Sequence, residues 1–78
     1  MRVLIVEDEV KMAGLIRRGL IEKAYAADIA SSGEEALAIC DSLLLAPDLV
    51  ITDVVMPGMS GHELVMQLSE RYSNLKMA

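Results

Sequence analysis

Two short runs, Arg2–Val6 and Leu49–Thr52, are apolar without alternation and rich in β-branched residues. That is the pattern of strands covered on both faces, which belong to parallel sheets. A parallel pair cannot be closed by a tight turn and needs a crossover, usually a helix, and the chain supplies one after each run. From Val10 to about Lys23, Met12, Leu15, Ile16 and Leu20 recur at helical spacing, with Lys11, Arg17, Arg18 and Lys23 placed elsewhere. The spacing predicts a helix packed on the sheet through that stripe. Tyr25–Ala30 predicts a weaker strand, because four of its six residues are Ala or Asp. Ser32 and Glu35 have the spacing of a capping box, and Ala36, Leu37, Cys40, Leu43 and Leu44 form the apolar stripe behind it. Pro47 closes that helix. After Leu49–Thr52, Asp53–Gly58 reads as a loop with Pro and Gly punctuation, and Gly58 and Gly61 read as turn residues. Ser60 and Glu63 then open a third helix faced by Leu64, Val65, Leu68 and Tyr72.

Three strand–helix units in succession predict a three-layer α/β fold with a parallel sheet. If the strand order is 2-1-3, right-handed crossovers put the first helix on one face and the second on the other, with a switch point between strands one and three. Seventy-eight residues allow one domain. A chain of that length buries only about 60% of its unfolded surface, so its core is thin. With two Tyr and no Phe or Trp, Leu, Ile, Val, Met and Ala must build that core, and no aromatic platform for stacking bases exists. Seven Lys and Arg against twelve Asp and Glu give a net charge of -5, which repels phosphate backbones and anionic lipid surfaces. Neither nucleic acid nor a membrane is an expected partner. Cys40 is the single cysteine, so a disulfide scaffold and a cysteine zinc site both fail, and a reducing cytoplasm fits. The apolar start is stopped at once by Glu7-Asp8-Glu9, too early for a secretion signal.

Open α/β sheets bind ligands beyond the carboxyl ends of their strands, at the switch point. Glu7 and Asp8 follow strand one and Asp53 ends strand three, so the 2-1-3 order brings three carboxylates to one rim. Like charges gathered there raise each other's pKa unless a cation sits among them. An all-oxygen, solvated donor set with no nearby His or Cys suits Mg²⁺ better than zinc or copper. An Asp beside bound Mg²⁺ can displace on phosphorus in line and become an aspartyl phosphate.

Val3-Leu4-Ile5-Val6-Glu7-Asp8-Glu9, Ser32-Gly33-Glu34-Glu35-Ala36-Leu37 and the stretch from Asp48 through Asp53, Met56, Pro57 and Gly58 to Gly61 closely resemble the receiver domains of two-component response regulators. The resemblance runs the whole chain. It implies a flavodoxin-like fold, phosphoryl transfer to Asp53 from a histidine kinase or phosphotransfer protein, and Mg²⁺ held by Glu7, Asp8, Asp53 and the backbone carbonyl of Val55. It implies a signalling module rather than an enzyme, assisting at most its own phosphorylation and dephosphorylation.

A complete receiver has five strands and five helices, with a Thr or Ser ending the fourth strand and a Lys ending the fifth. Residues 1–78 hold neither position, and Leu75-Lys76-Met77-Ala78 reads as the approach to a fourth strand. The expectation is therefore a partial receiver, truncated after the third helix and impaired in activity. Strand three would be left at the sheet edge, and pairing there would give a homo-oligomer. The rival reading is a non-catalytic, self-associating α/β interaction module whose acidic site is a relic. A haloacid dehalogenase-type phosphohydrolase wants a second Asp two residues after the first, where this chain has Val55. His62, in the first turn of the third helix, reads as a surface residue, and Cys40 as a small buried hydrophobe.

Overall fold

The computed structural model describes residues 1–43, 47–53, 58–72 and 76–77. Its elements run β1 (Arg2–Val6), α1 (Val10–Glu22), β2 (Ala26–Ala30), α2 (Gly33–Leu43), β3 (Leu49–Thr52), α3 (Gly61–Arg71) and β4 (Lys76–Met77). The sheet order is β2-β1-β3-β4 with every pairing parallel. The 2-1-3 arrangement thus holds, and a short fourth strand adds to it.

β1 is the central strand, and its apolar residues on both faces explain why: Val3, Leu4, Ile5 and Val6 are all buried. Leu4 and Val6 join Ala30, Val50, Ala36, Cys40, Leu64 and Leu68 in one cluster under α2 and α3, with Leu37, Ile39, Met59 and Tyr72 packed against it. Val3 and Ile5 alternate to the opposite face, where α1 lies against β1 and β2 with Ala13 buried. The helices are tied across the layer by Arg71–Asp41 at 2.7 Å, and β1 to β2 by Arg2–Asp28 at 2.5 Å.

Four expectations need correction. The stripe of α1 is only half right: Ile16 and Leu20 are half-buried, but Met12 is 45% exposed and Leu15 65%. At 100° per residue Leu15 lies nearly opposite the buried Ala13, so the helix approaches the sheet through its smallest apolar side chain. The capping boxes close on one side only. The N–H of Glu35 donates to Ser32 Oγ (3.0 Å) and that of Glu63 to Ser60 Oγ (3.2 Å). The Glu35 carboxylate, however, accepts from Ser31 Oγ (2.6 Å) instead of returning to the backbone at the cap. Gly61, expected in the turn, is the buried first residue of α3. Finally, β3 is not an open edge along its length, because Lys76 and Met77 pair with Leu49 and Val50. Leu44, expected on the α2 stripe, and the Met56-Pro57 turn lie outside the described residues.

α1 ends on a left-handed residue. Ala24 takes φ 66°, the N–H of Tyr25 donates to the Leu20 carbonyl (3.1 Å), and that of Ala24 to the Ile21 carbonyl (2.9 Å). This double closure usually places glycine where Ala24 stands. Among the described residues no helix is long and apolar enough to cross a membrane.

Candidate metal centre

The parallel register sets the site. Val6 stands opposite Ala30 on one side and Thr52 on the other. One residue further on, the Glu7 N–H donates to the Ala30 carbonyl (3.0 Å) and the Asp53 N–H to the Val6 carbonyl (3.2 Å). The ladder thus continues just past the strand ends and fixes the backbones of Glu7 and Asp53 side by side on neighbouring strands. Asp8 follows at the turn into α1.

The three carboxylates named from the sequence do meet. Glu7, Asp8 and Asp53 each present an oxygen, and these lie within 4.8 Å of one another. Glu7 is half-buried while Asp8 and Asp53 are exposed. The Glu7 carboxyl is pushed up to about 7, first by its hydrogen bond with Asp53, then by burial and by the charges of Asp53, Asp8 and Glu9. The hydrogen bond from one acid to the next, burial and the neighbouring negative charges thus all favour the protonated form of Glu7. An octahedral Mg²⁺ with bonds of about 2.1 Å sets its ligand oxygens about 3–4 Å apart, so a small contraction of this cluster would suit one. Hardness, charge and spacing all fit a divalent cation. The Val55 carbonyl, the fourth donor the resemblance implies, lies outside the described residues.

The other candidates separate as expected. His62 is exposed on α3. Cys40 is 1% exposed in the core, where burial, with Asp41 nearby, pushes its thiol up and leaves it a packing residue. One contact has no signal in the sequence: Glu34, in the first turn of α2, accepts the N–H of Met59 at 3.2 Å. No local pattern announces a pairing of residues 25 apart, and an acid at the start of a helix already has a sufficient reason in the helix dipole.

The model of the response regulator receiver domain matches residues 3–78. The chain belongs to that family. Receiver domains are signalling modules rather than classical enzymes. This receiver is 42% identical over 76 residues to sensor kinase CckA of Brucella abortus, a match covering 95% of the chain and 8% of the kinase. It is 36% identical over 69 residues to the transcriptional regulatory protein PcoR of Escherichia coli, covering 88% of the chain and 30% of PcoR. In structure it resembles the receiver domain of hybrid histidine kinase CckA (TM-score 0.91, 34% identity, 99% of this chain and 71% of that one). It also resembles TrrA of Thermotoga maritima in complex with Mg²⁺ and BeF (TM-score 0.87, 37% identity, 97% of this chain and 64% of that one). TrrA has also been crystallised with the histidine kinase ThkA.

Proposed function

We propose that the chain is a phosphoacceptor module of a two-component pathway, taking a phosphoryl group on Asp53 with Mg²⁺ held by Glu7, Asp8 and Asp53. The observation that carries this reading is the convergence of three carboxylates within 4.8 Å at the carboxyl ends of β1 and β3, with Asp53 exposed to a donor. The Mg²⁺–BeF complex of TrrA and its complex with a kinase support it by similarity.

The chemistry divides among this chain's own groups. An Asp53 carboxylate oxygen forms the new bond to phosphorus. The bond from phosphorus to the donor breaks, its electron pair leaves on the donor atom, a histidine nitrogen for a kinase, and that atom takes up a proton. Asp53 is left as an acyl phosphate. The backbone N–H that Asp53 donates to Val6 holds the nucleophile at the strand end. Glu7 releases its proton when a cation binds. Bound Mg²⁺ supplies positive charge against the phosphoryl oxygens. The donor is a histidine kinase or phosphotransfer protein, and the buried free thiol of Cys40 suits the reducing cytoplasm in which such proteins meet.

The test is direct. The chain is incubated with Mg²⁺ and a small acyl phosphate, with Asp53→Asn as control, and intact mass is read. The parent gains one phosphoryl group and the variant none. A parent that gains nothing, under conditions where calorimetry shows Mg²⁺ bound, refutes the acceptor role and leaves a binding module on a relic site.

A further inference from the structure

Two glycine-led pairs, Gly33–Glu34 at the start of α2 and Gly58–Met59 beyond Asp53, fit into each other. Gly33 is buried, and a Cβ placed on it would stand 2.8 Å from Met59 Sδ and 3.0 Å from Met59 Cβ and Cγ. Met59 packs onward against the core cluster. Gly58 adopts φ +78°, a conformation side chains resist, and a Cβ there would lie 3.2 Å from Glu34 Oε2. The other oxygen of Glu34, Oε1, accepts the Met59 N–H. Each glycine thus leaves the space occupied by the residue that follows the other.

This interlock has a place in the architecture. The segment that starts at Asp53 is held at its beginning by the hydrogen bond from Asp53 to Val6. At its end Gly58 and Met59 are held by α2, and Ser60 caps α3 immediately after. Asp53 is therefore anchored to β1, and Met59, six residues later, to the first turn of α2.

We propose that Glu34 is a positioning residue of the acceptor site: by holding Gly58–Met59 in the seat that Gly33 provides, it sets the return of the loop that leaves from Asp53. The inference rests on the acceptor reading and extends it to a residue that touches neither metal nor phosphoryl group. A side chain that served stability alone would change the melting temperature and leave Mg²⁺ affinity and acceptor rate at a fixed, low temperature untouched.

Three variants of the full chain separate these roles. Glu34→Ala removes the acceptor of the Met59 N–H, Glu34→Gln keeps an oxygen in its place, and Gly33→Ala drives a methyl into Met59. Mg²⁺ affinity is read by calorimetry, acceptor rate by intact mass with a small acyl phosphate, and the lock itself by the Met59 amide resonance. Glu34→Ala should weaken Mg²⁺ binding and slow phosphoryl gain by about 5-fold, the equivalent of one hydrogen bond, while Glu34→Gln stays close to the parent. Gly33→Ala, whose methyl would meet Met59 Sδ, Cγ and Cβ within 3.0 Å, should behave like Glu34→Ala. If the Met59 amide moves in Glu34→Ala but Mg²⁺ affinity and rate equal those of the parent, the positioning role is overturned while the acceptor reading stands. If the parent itself binds no Mg²⁺, the acceptor reading falls and this inference falls with it. Should Gly33→Ala fail to fold, the two Glu34 variants decide alone.

Discussion

The raised pKa of Glu7 makes the stability of this domain depend on pH in an unusual direction. In the folded chain Glu7 keeps its proton until about pH 7, whereas an unperturbed glutamate ionises near 4.5. Below pH 4.5 both states hold the proton and the folded state has its full share of stability from this group. As pH rises the unfolded chain gives up the proton while the folded chain retains it, so stability declines and the loss is complete above pH 7. At 1.36 kcal/mol per tenfold the full displacement corresponds to about 3.4 kcal/mol. Glu7 is only half-buried at an open rim where solvent screens its neighbours, so about 1–1.5 kcal/mol is the appropriate figure. For a domain of this size that is about 5–10 °C in melting temperature. Mg²⁺ should reverse the effect, since it binds the ionised cluster of the folded chain alone. At ten times its dissociation constant it contributes about 1.4 kcal/mol. Thermal melts followed by circular dichroism at pH 5 and pH 8, with and without Mg²⁺, give the four numbers required. Asp53→Asn removes the largest cause of the rise and leaves those of burial, Asp8 and Glu9, and so isolates the share that Asp53 contributes. The parent should lose stability from pH 5 to pH 8 without metal, regain it with Mg²⁺ at pH 8, and respond little to Mg²⁺ at pH 5. The variant should lose less. Equal pH slopes in parent and Asp53→Asn would refute the coupling of the two carboxyls.

Other substitutions test the packing. Leu68→Ala, at a side chain with 0% exposure in the α2–α3 cluster, should cost about 2–5 kcal/mol, enough to unfold much of so small a domain, as chemical denaturation will show. Leu15→Ala, at 65% exposure, should stay within about 0.5 kcal/mol of the parent in the same assay. Ala24→Gly should stabilise by about 1 kcal/mol, because the left-handed φ of 66° penalises any β-carbon, and a midpoint that moves to lower denaturant would contradict that reading. Arg71→Ala, which breaks an ion pair with both partners substantially exposed, should change stability by less than about 1 kcal/mol, measured as a shift in midpoint.

What the sequence reveals here follows from how local each cause is. β1 is legible because a strand buried on both faces must be apolar throughout, and Val3–Val6 are so buried; β3 carries the same kind of run, although only Val50 in it is fully buried and its neighbours are half-buried. The acidic rim is legible because Glu7, Asp8 and Asp53 sit directly at strand ends, where the order of three strands places them. The orientation of α1 is not. Its sequence offers apolar residues on more than one side, and the choice of Ala13 over Leu15 as the contact is made by how closely the helix can approach the sheet. The reach of Glu34 to Met59 is tertiary in the same sense, joining helix start to loop with no periodicity to mark it. β4 covers two residues of β3 on the strength of a two-residue strand, too short for any pattern to register.

The central place of β1 has a consequence for how the domain comes together during synthesis. The segment made first, Arg2–Val6, pairs with Ala26–Ala30 on one flank and with Leu49–Thr52 on the other. On a ribosome it must wait, greasy and unaccompanied, until some fifty residues have followed it out. Such distant pairings are slow to find, and the interval is when a chaperone would have most to hold.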